Sequence, residues 1–284
     1  MPVLSAARVT VVAGKGGVGK TTVTAVLARA AADAGLRVLV VELDGKESLG
    51  ALVDGIDVEP ISAPDALERY LREHGFGRIA KRLSASGVID VVGTAAPGID
   101  DIVVLGRIKQ LERSDRWDAI VVDGPAAGHA VTFLTSASGL HDAVRGGPVR
   151  AQADDVLELL HDAGRCQVVL VTVPETTPVN EVIETAYALE DRVGVALGPV
   201  VVNAVDMGEA VPDPDDVSVE AEDDAELLAS AARFRRARRD VQRDELERLG
   251  RELALDQLHL PLLPVAGVGA DDVRTLAAAM RAAS

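Results

Sequence analysis

The chain has 284 residues, enough for one large α/β domain, and its 48% apolar content includes only 2% aromatics, so the core must be built from Val, Leu, Ile and Ala. A formal charge of −16 and the shortage of stacking rings argue against nucleic acid or an anionic membrane as default partners. No run approaches the roughly 20 apolar residues of a membrane span, and a lone Cys166 excludes an intrachain disulfide or a multi-cysteine metal site.

The first apolar run, Arg8–Ala13, is too short for a signal peptide, and a cytoplasmic protein without stable membrane insertion is expected. It feeds straight into Gly14-Lys15-Gly16-Gly17-Val18-Gly19-Lys20-Thr21, with a helical pattern following over Lys20–Ala34. Strand, glycine loop and helix in that order satisfy the Walker A pattern. The glycines let the backbone turn tightly and aim successive N–H groups at phosphate oxygens, and the helix adds its positive end. Lys20 is expected to reach the β- and γ-phosphates, the Thr21 hydroxyl to bind Mg²⁺, and Thr22 to contact the α-phosphate region. Lys15 leaves the loop ahead of this cradle, so it is poorly placed to duplicate Lys20; a merely solvated lysine is the alternative.

A second strand, Arg37–Leu43, ends at Asp44-Gly45-Lys46. An aspartate there faces the nucleotide, where it could orient the attacking water or hold a Mg²⁺-bound water; otherwise Asp44 caps the next helix. Residues 46–115 carry helical patterns broken at Gly75, Gly87 and Pro97-Gly98, and are read as a helical insert above the nucleotide site. A third strand, Ala119–Val122, ends in Asp123-Gly124-Pro125-Ala126-Ala127-Gly128-His129. Four apolar residues and an aspartate make a Walker B strand, with Asp123 expected at Mg²⁺ through water. Gly124 and Gly128 would allow the peptide shifts that register a γ-phosphate. His129 is read as a structural or signalling residue rather than a base.

Strands Val168–Val173 and Val200–Val205 follow, with a helix over Val179–Asp191 between them. Cys166 reads as a small buried hydrophobe. Asn203 offers a donor and an acceptor, which suits an adenine edge. Between Asp206 and Glu226 lie ten acidic and no basic residues, leaving −6 for the rest of the chain. This segment reads as a mobile loop leading into a charged helix, about 226–255. Its basic stretch, Arg233–Arg239, could pair with the acidic loop, serve as a contact surface, or simply be solvated. The last helix, Asp271–Ala283, is expected to dock on the sheet. Alternation of apolar runs with helices predicts a doubly wound, mostly parallel α/β sheet in a single domain, carrying two insertions at 46–115 and 206–255.

The pattern Lys-Gly-Gly-x-Gly-Lys-Thr-Thr at Lys15–Thr22 resembles the deviant Walker A of the superfamily that includes MinD, ParA, nitrogenase iron protein and the ArsA arsenite-pump ATPase. In that superfamily the first lysine reaches the partner's nucleotide, which implies ATP between two subunits with Lys15 acting in trans. Asp123, the proline and Gly128-His129 resemble switch II of the ArsA and tail-anchored-protein-targeting branch. The proline comes one residue early, and the branch's downstream arginine is replaced near Thr132. Asp44 matches the aspartate of the branch's Asp-Pro-Ala segment, with Gly45 and Lys46 in place of Pro and Ala. Asn203 matches the asparagine that binds the base, and Leu260–Pro264 resembles the loop that closes over it, which places Pro264 at the nucleotide.

The resemblance implies an Mg²⁺-dependent ATPase switch, a homodimer or a heterodimer with a related subunit, coupled to an unidentified protein client. Cys166 alone cannot make a metalloid site. The zinc-bridging Cys-x-x-Cys pair of the targeting ATPases is missing too, and Met1, Met207 and Met280 all lie outside the insert. Two alternatives remain open: a ParA- or MinD-like positioning ATPase, and a partner subunit with little activity of its own.

Overall fold

The computed structural model describes residues 7–43, 49–73, 75, 98–209 and 222–283. Among the described residues eight strands form one sheet: β1 (Val9–Gly14), β2 (Val38–Leu43), β3 (Asp57–Ile61), β4 (Ala119–Ala126), β5 (Cys166–Thr172), β6 (Ala196–Leu197), β7 (Val200–Val205) and β8 (Gln257–Pro261). Their order is β3-β2-β4-β1-β5-β7-β8, β6 pairs with β5, and every pairing is parallel. The chain crosses from one side of β1 to the other between β4 and β5, which opens a crevice at the carboxyl end of β1.

Parallel strands need helices on both faces, and the strand sequences supply apolar residues for both. One face packs Val12, Val40, Val121, Val169 and Val201 beneath α1 (Lys20–Asp33) and α8 (Ala270–Ala283). The opposite face packs Val11, Val41, Val122 and Val168 against α2 (Ala63–Glu73), α3 (Ile99–Arg113), α4 (Ala127–Ala143), α5 (Pro148–His161) and α6 (Thr176–Arg192). Helix α1 is almost wholly buried, and its alanines let it lie close to the sheet and to Leu276, Ala277 and Met280 of α8. Cys166 is buried, and the surrounding apolar core pushes its thiol up to about 12.

The segment 46–115 is not helical throughout. Asp57–Ile61 is an edge strand of the main sheet, parallel to β2, and residues 76–97 lie outside the described part. Its sequence hides it, because a half-covered edge strand tolerates Asp57, Glu59 and Pro60 where a central strand would not. At the opposite edge β8 occupies Gln257–Pro261, so part of the expected base-closing loop is strand. The charged helix runs over Glu222–Glu252 and is called α7.

Helix α7 is held at two places. Its carboxyl end packs Leu249 into the core, followed by Leu253, with Leu246 partly buried. Further up, the Arg235 guanidinium donates to both carboxylate oxygens of Asp206, at 2.7 and 2.8 Å, and Gln242 pairs with the Asp206 backbone. The basic stretch thus engages the first residues of the acidic segment. Arg235 holds the Asp206 carboxyl down at about 2, against an ordinary 3.8. A depressed acid contributes its stabilisation above the ordinary value and loses it as pH falls through the folded one, here from about pH 4 to about 2. In an NMR titration the Asp206 midpoint should rise toward the ordinary carboxylate range in Arg235→Ala, with the Gly208 amide and Arg239 still holding it partly down; an unmoved midpoint would refute the pairing.

Among the described residues no helix is long and apolar enough to cross a membrane.

Candidate nucleotide site

At the end of β1 the chain has little room. A Cβ at Gly14 would stand 2.3 Å from the Val171 carbonyl oxygen on β5, so only glycine lets the two strands close up here. The loop turns outward through exposed Gly16 and Gly17, tucks in Val18, and enters α1 at Gly19, whose φ of 89° is left-handed. A Cβ at Gly19 would also lie 2.3 Å from Nδ2 of Asn203. That amide donates to the Val18 carbonyl at 2.9 Å, so Asn203 braces the loop from β7. Gly19→Ala therefore combines left-handed strain, about 1–2 kcal/mol, with a clash against Asn203. A lowered Tm together with loss of nucleotide binding is expected; unchanged binding in a titration would count against this geometry.

The first turn of α1 presents its N–H groups and its positive dipole end to the crevice. Lys20 lies back over the loop, Nζ donating to the Lys15 carbonyl at 3.2 Å. Behind it, Thr21 Oγ1 donates to Asp123 at 2.8 Å, and Thr24 Oγ1 donates to the other carboxylate oxygen at 3.2 Å. Asp123 is 6% exposed and stands in register with Val12 of β1 and Glu42 of β2. Thr22 is half-buried on the same turn. A hydroxyl and a carboxylate this close are hard oxygen donors of the kind that would suit a divalent cation such as Mg²⁺.

The other expected site residues are spread around this centre. Lys15 is ion-paired with Glu181 on α6, each side chain about a third exposed. Asp44 lies outside the described residues. Gly128 and His129 occupy the first turn of α4, and the His129 side chain is 63% exposed, 4.0 Å from Asp101 on α3. Burial pushes the Asp101 carboxyl above its ordinary value. Asp101 and His129 line a cavity of about 540 Å³ with Leu43, Pro125 and Phe133, beyond the ends of β2 and β4. Pro264 is exposed in the loop after β8.

Two residues escaped the sequence reading. Thr24 sits one helical turn beyond Thr21, so an i, i+3 spacing of hydroxyls was its signal. Glu42 is only 2% exposed and accepts a long hydrogen bond from the Leu49 amide at 3.4 Å. A single acid inside the apolar run Val38–Leu43 could have marked it.

A phosphate-sized cradle at the strand-to-helix turn of a doubly wound parallel sheet, backed by a Walker B aspartate, defines a P-loop nucleotide-binding protein. Residues 7–145 match the family described as anion-transporting ATPase. The chain is 32% identical to the ATPase BagA of Mycobacterium tuberculosis over 225 residues, covering 70% of this chain and 66% of that protein. It is 30% identical over 188 residues to an arsenical pump-driving ATPase of Escherichia coli, covering 64% of this chain and 32% of that one. A putative arsenical pump-driving ATPase of Halobacterium salinarum is 26% identical over 296 residues, 93% of this chain and 43% of its own length. The chain belongs to the anion-transporting ATPase family. It spans less than two-thirds of the length of each of these relatives.

Proposed function

We propose that the chain is an Mg²⁺-dependent ATPase working as a dimeric switch, in which ATP binding and hydrolysis are coupled to a protein client or partner. The observation that carries this reading is the convergence of the Thr21 and Thr24 hydroxyls on buried Asp123 directly behind the phosphate loop. Bound there, Mg²⁺ would neutralise phosphate charge as the β–γ bond breaks. Lys20 and the first turn of α1 hold the β- and γ-phosphates in line for attack. Asp44, at the end of the β2 strand run, is assigned to orienting the water, and Lys15 to the partner's nucleotide. Asn203 and Pro264 are assigned to the base side of the site. Gly128 and His129 sit where β4 meets α4, next to α3, so a shift felt at Asp123 has a short covalent path to the insert.

An arsenical cargo, as in the names of some relatives, finds no support here, because Cys166 is the only thiol and is 1% exposed. A second reading, a partner subunit with little turnover of its own, is favoured by Gly45 and Lys46 beside Asp44, where the resembled branch has Pro and Ala.

Phosphate release by the purified chain tests both. We expect turnover that needs Mg²⁺, stops with EDTA, and falls about 10- to 100-fold in Asp123→Asn. Absence of turnover until a related chain is added would reject the first reading in favour of the second.

A further inference from the structure

Asp123 has a buried acid beside it that the site described so far does not use. Glu42 on β2 stands in register with Asp123 on β4, and the two are 2% and 6% exposed. Side chains alternate along a strand, so Glu42 projects to the same face as Val38 and Val40, and Asp123 to the same face as Val121. All three valines pack under α1, the helix that carries Thr21 and Thr24. Paired strands lie about 5 Å apart, which sets the two carboxylates side by side behind the first turn of α1. Two residues earlier the same strands pair Val40 with Val121, an ordinary apolar contact.

An acid at this place in β2 is costly to bury and needs a reason. Glu42 accepts a hydrogen bond from the Leu49 amide at 3.4 Å, but a glutamine oxygen would accept that bond as well. What glutamine lacks is the charge. Two carboxylates in register repel each other, and a cation beside them turns that repulsion into attraction. The remainder of the cradle has no such bias. The loop amides, Lys20 and the positive end of α1 attract phosphate whether or not a metal accompanies it.

We infer that Glu42 makes the cradle discriminate between nucleotide complexed with Mg²⁺ and bare nucleotide. It acts through the field it adds to that of Asp123: together the two carboxylates repel unneutralised phosphates and favour a dication at Thr21. Glu42 is thus a positioning residue for the metal, working from behind the groups that would hold it. The inference rests on the nucleotide and Mg²⁺ assignments of the proposed function, and not on hydrolysis.

The test is titration of the full chain with a fluorescent ADP analogue, once in Mg²⁺ and once in EDTA, at matched ionic strength. The ratio of the two dissociation constants measures the discrimination. In Glu42→Gln, which keeps an acceptor for the Leu49 amide, the ratio should fall by at least about tenfold. Binding in EDTA should equal that of wild type or tighten, because a charge facing the bare phosphates has gone. Glu42→Asp keeps the charge and should lower the ratio by less than about threefold. A site that is merely damaged binds more weakly in both media, so weaker binding of Glu42→Gln in EDTA would overturn the inference. An unchanged ratio in Glu42→Gln would overturn it as well and leave Glu42 as an acceptor for Leu49. Nucleotide binding that ignores Mg²⁺ in the wild type would reject the metal assignment and the role of Glu42 together. Mg²⁺-dependent binding that Glu42→Gln weakens as expected, in a chain without turnover, would keep that role and reject the hydrolytic switch alone.

Discussion

Lys20→Ala should lower ATP turnover by at least about a hundredfold, because a cationic donor aimed at developing phosphate charge is worth about 3–4 kcal/mol. The surroundings of Lys20 make this a functional rather than a structural effect. Lys20 is half-buried, and its ammonium donates a long hydrogen bond, 3.2 Å, to the Lys15 carbonyl. A contact of that kind is worth about 1 kcal/mol or less to the fold. The variant should therefore melt within a few degrees of wild type while losing hydrolysis. Lys20→Arg should not restore it, since a planar fork cannot replace a compact ammonium in a loop folded this tightly. Single-turnover phosphate release and calorimetric melting measure the two quantities separately. Turnover within tenfold of wild type in Lys20→Ala would remove Lys20 from the chemistry and leave it a brace of the loop.

The strands that carry the site were the easiest to read in the sequence. β1, β2, β5 and β7 are covered on both faces, so nearly every position is apolar and the run stands out. β3 and β8 lie at the sheet edges, where Asp57, Glu59, Gln257 and His259 remain partly solvated, and the pattern fades into that of a loop. The end of β4 was misplaced for a different reason. The apolar run stops at Val122, yet the strand continues to Ala126, because Gly124 has no side chain to strike the Val12 carbonyl, 2.4 Å from where its Cβ would stand.

In the site, Lys20, Thr21 and Asp123 could be named because each occupies a fixed offset from a local motif. The contacts of Asn203 and Lys15 could not. Asn203 is 185 residues from Val18 and meets it only because β5 and β7 follow β1 in the sheet order. Glu181 meets Lys15 only because α6 starts from the end of β5, the neighbour of β1. Local spacing tells which groups a segment offers, whereas strand order decides which of them meet.

A mixture of Lys15→Ala and Lys20→Ala chains should recover activity that neither variant has alone. In the dimer proposed above, the first variant keeps an intact cradle but lacks the lysine it donates, and the second has a dead cradle but a working Lys15. Random exchange makes half of the dimers mixed, each with one complete site, so about a quarter of wild-type turnover should return. If Lys15 acts on its own nucleotide, every site in the mixture lacks one lysine and none recovers. The pairing of Lys15 with Glu181 does not oppose the trans role. That ion pair is about a third exposed on both sides, so releasing Lys15 costs about 0–1 kcal/mol. A finger-type cation on the transferring phosphoryl group contributes about 10³- to 10⁵-fold, or roughly 4–7 kcal/mol, and wins by a wide margin. Glu181→Gln should accordingly change turnover by less than about fivefold, whereas Lys15→Ala alone should lower it by at least about a thousandfold. In the proposed dimer Lys15 would have two positions: against Glu181 in the free chain, and against the partner's phosphates once ATP closes the pair.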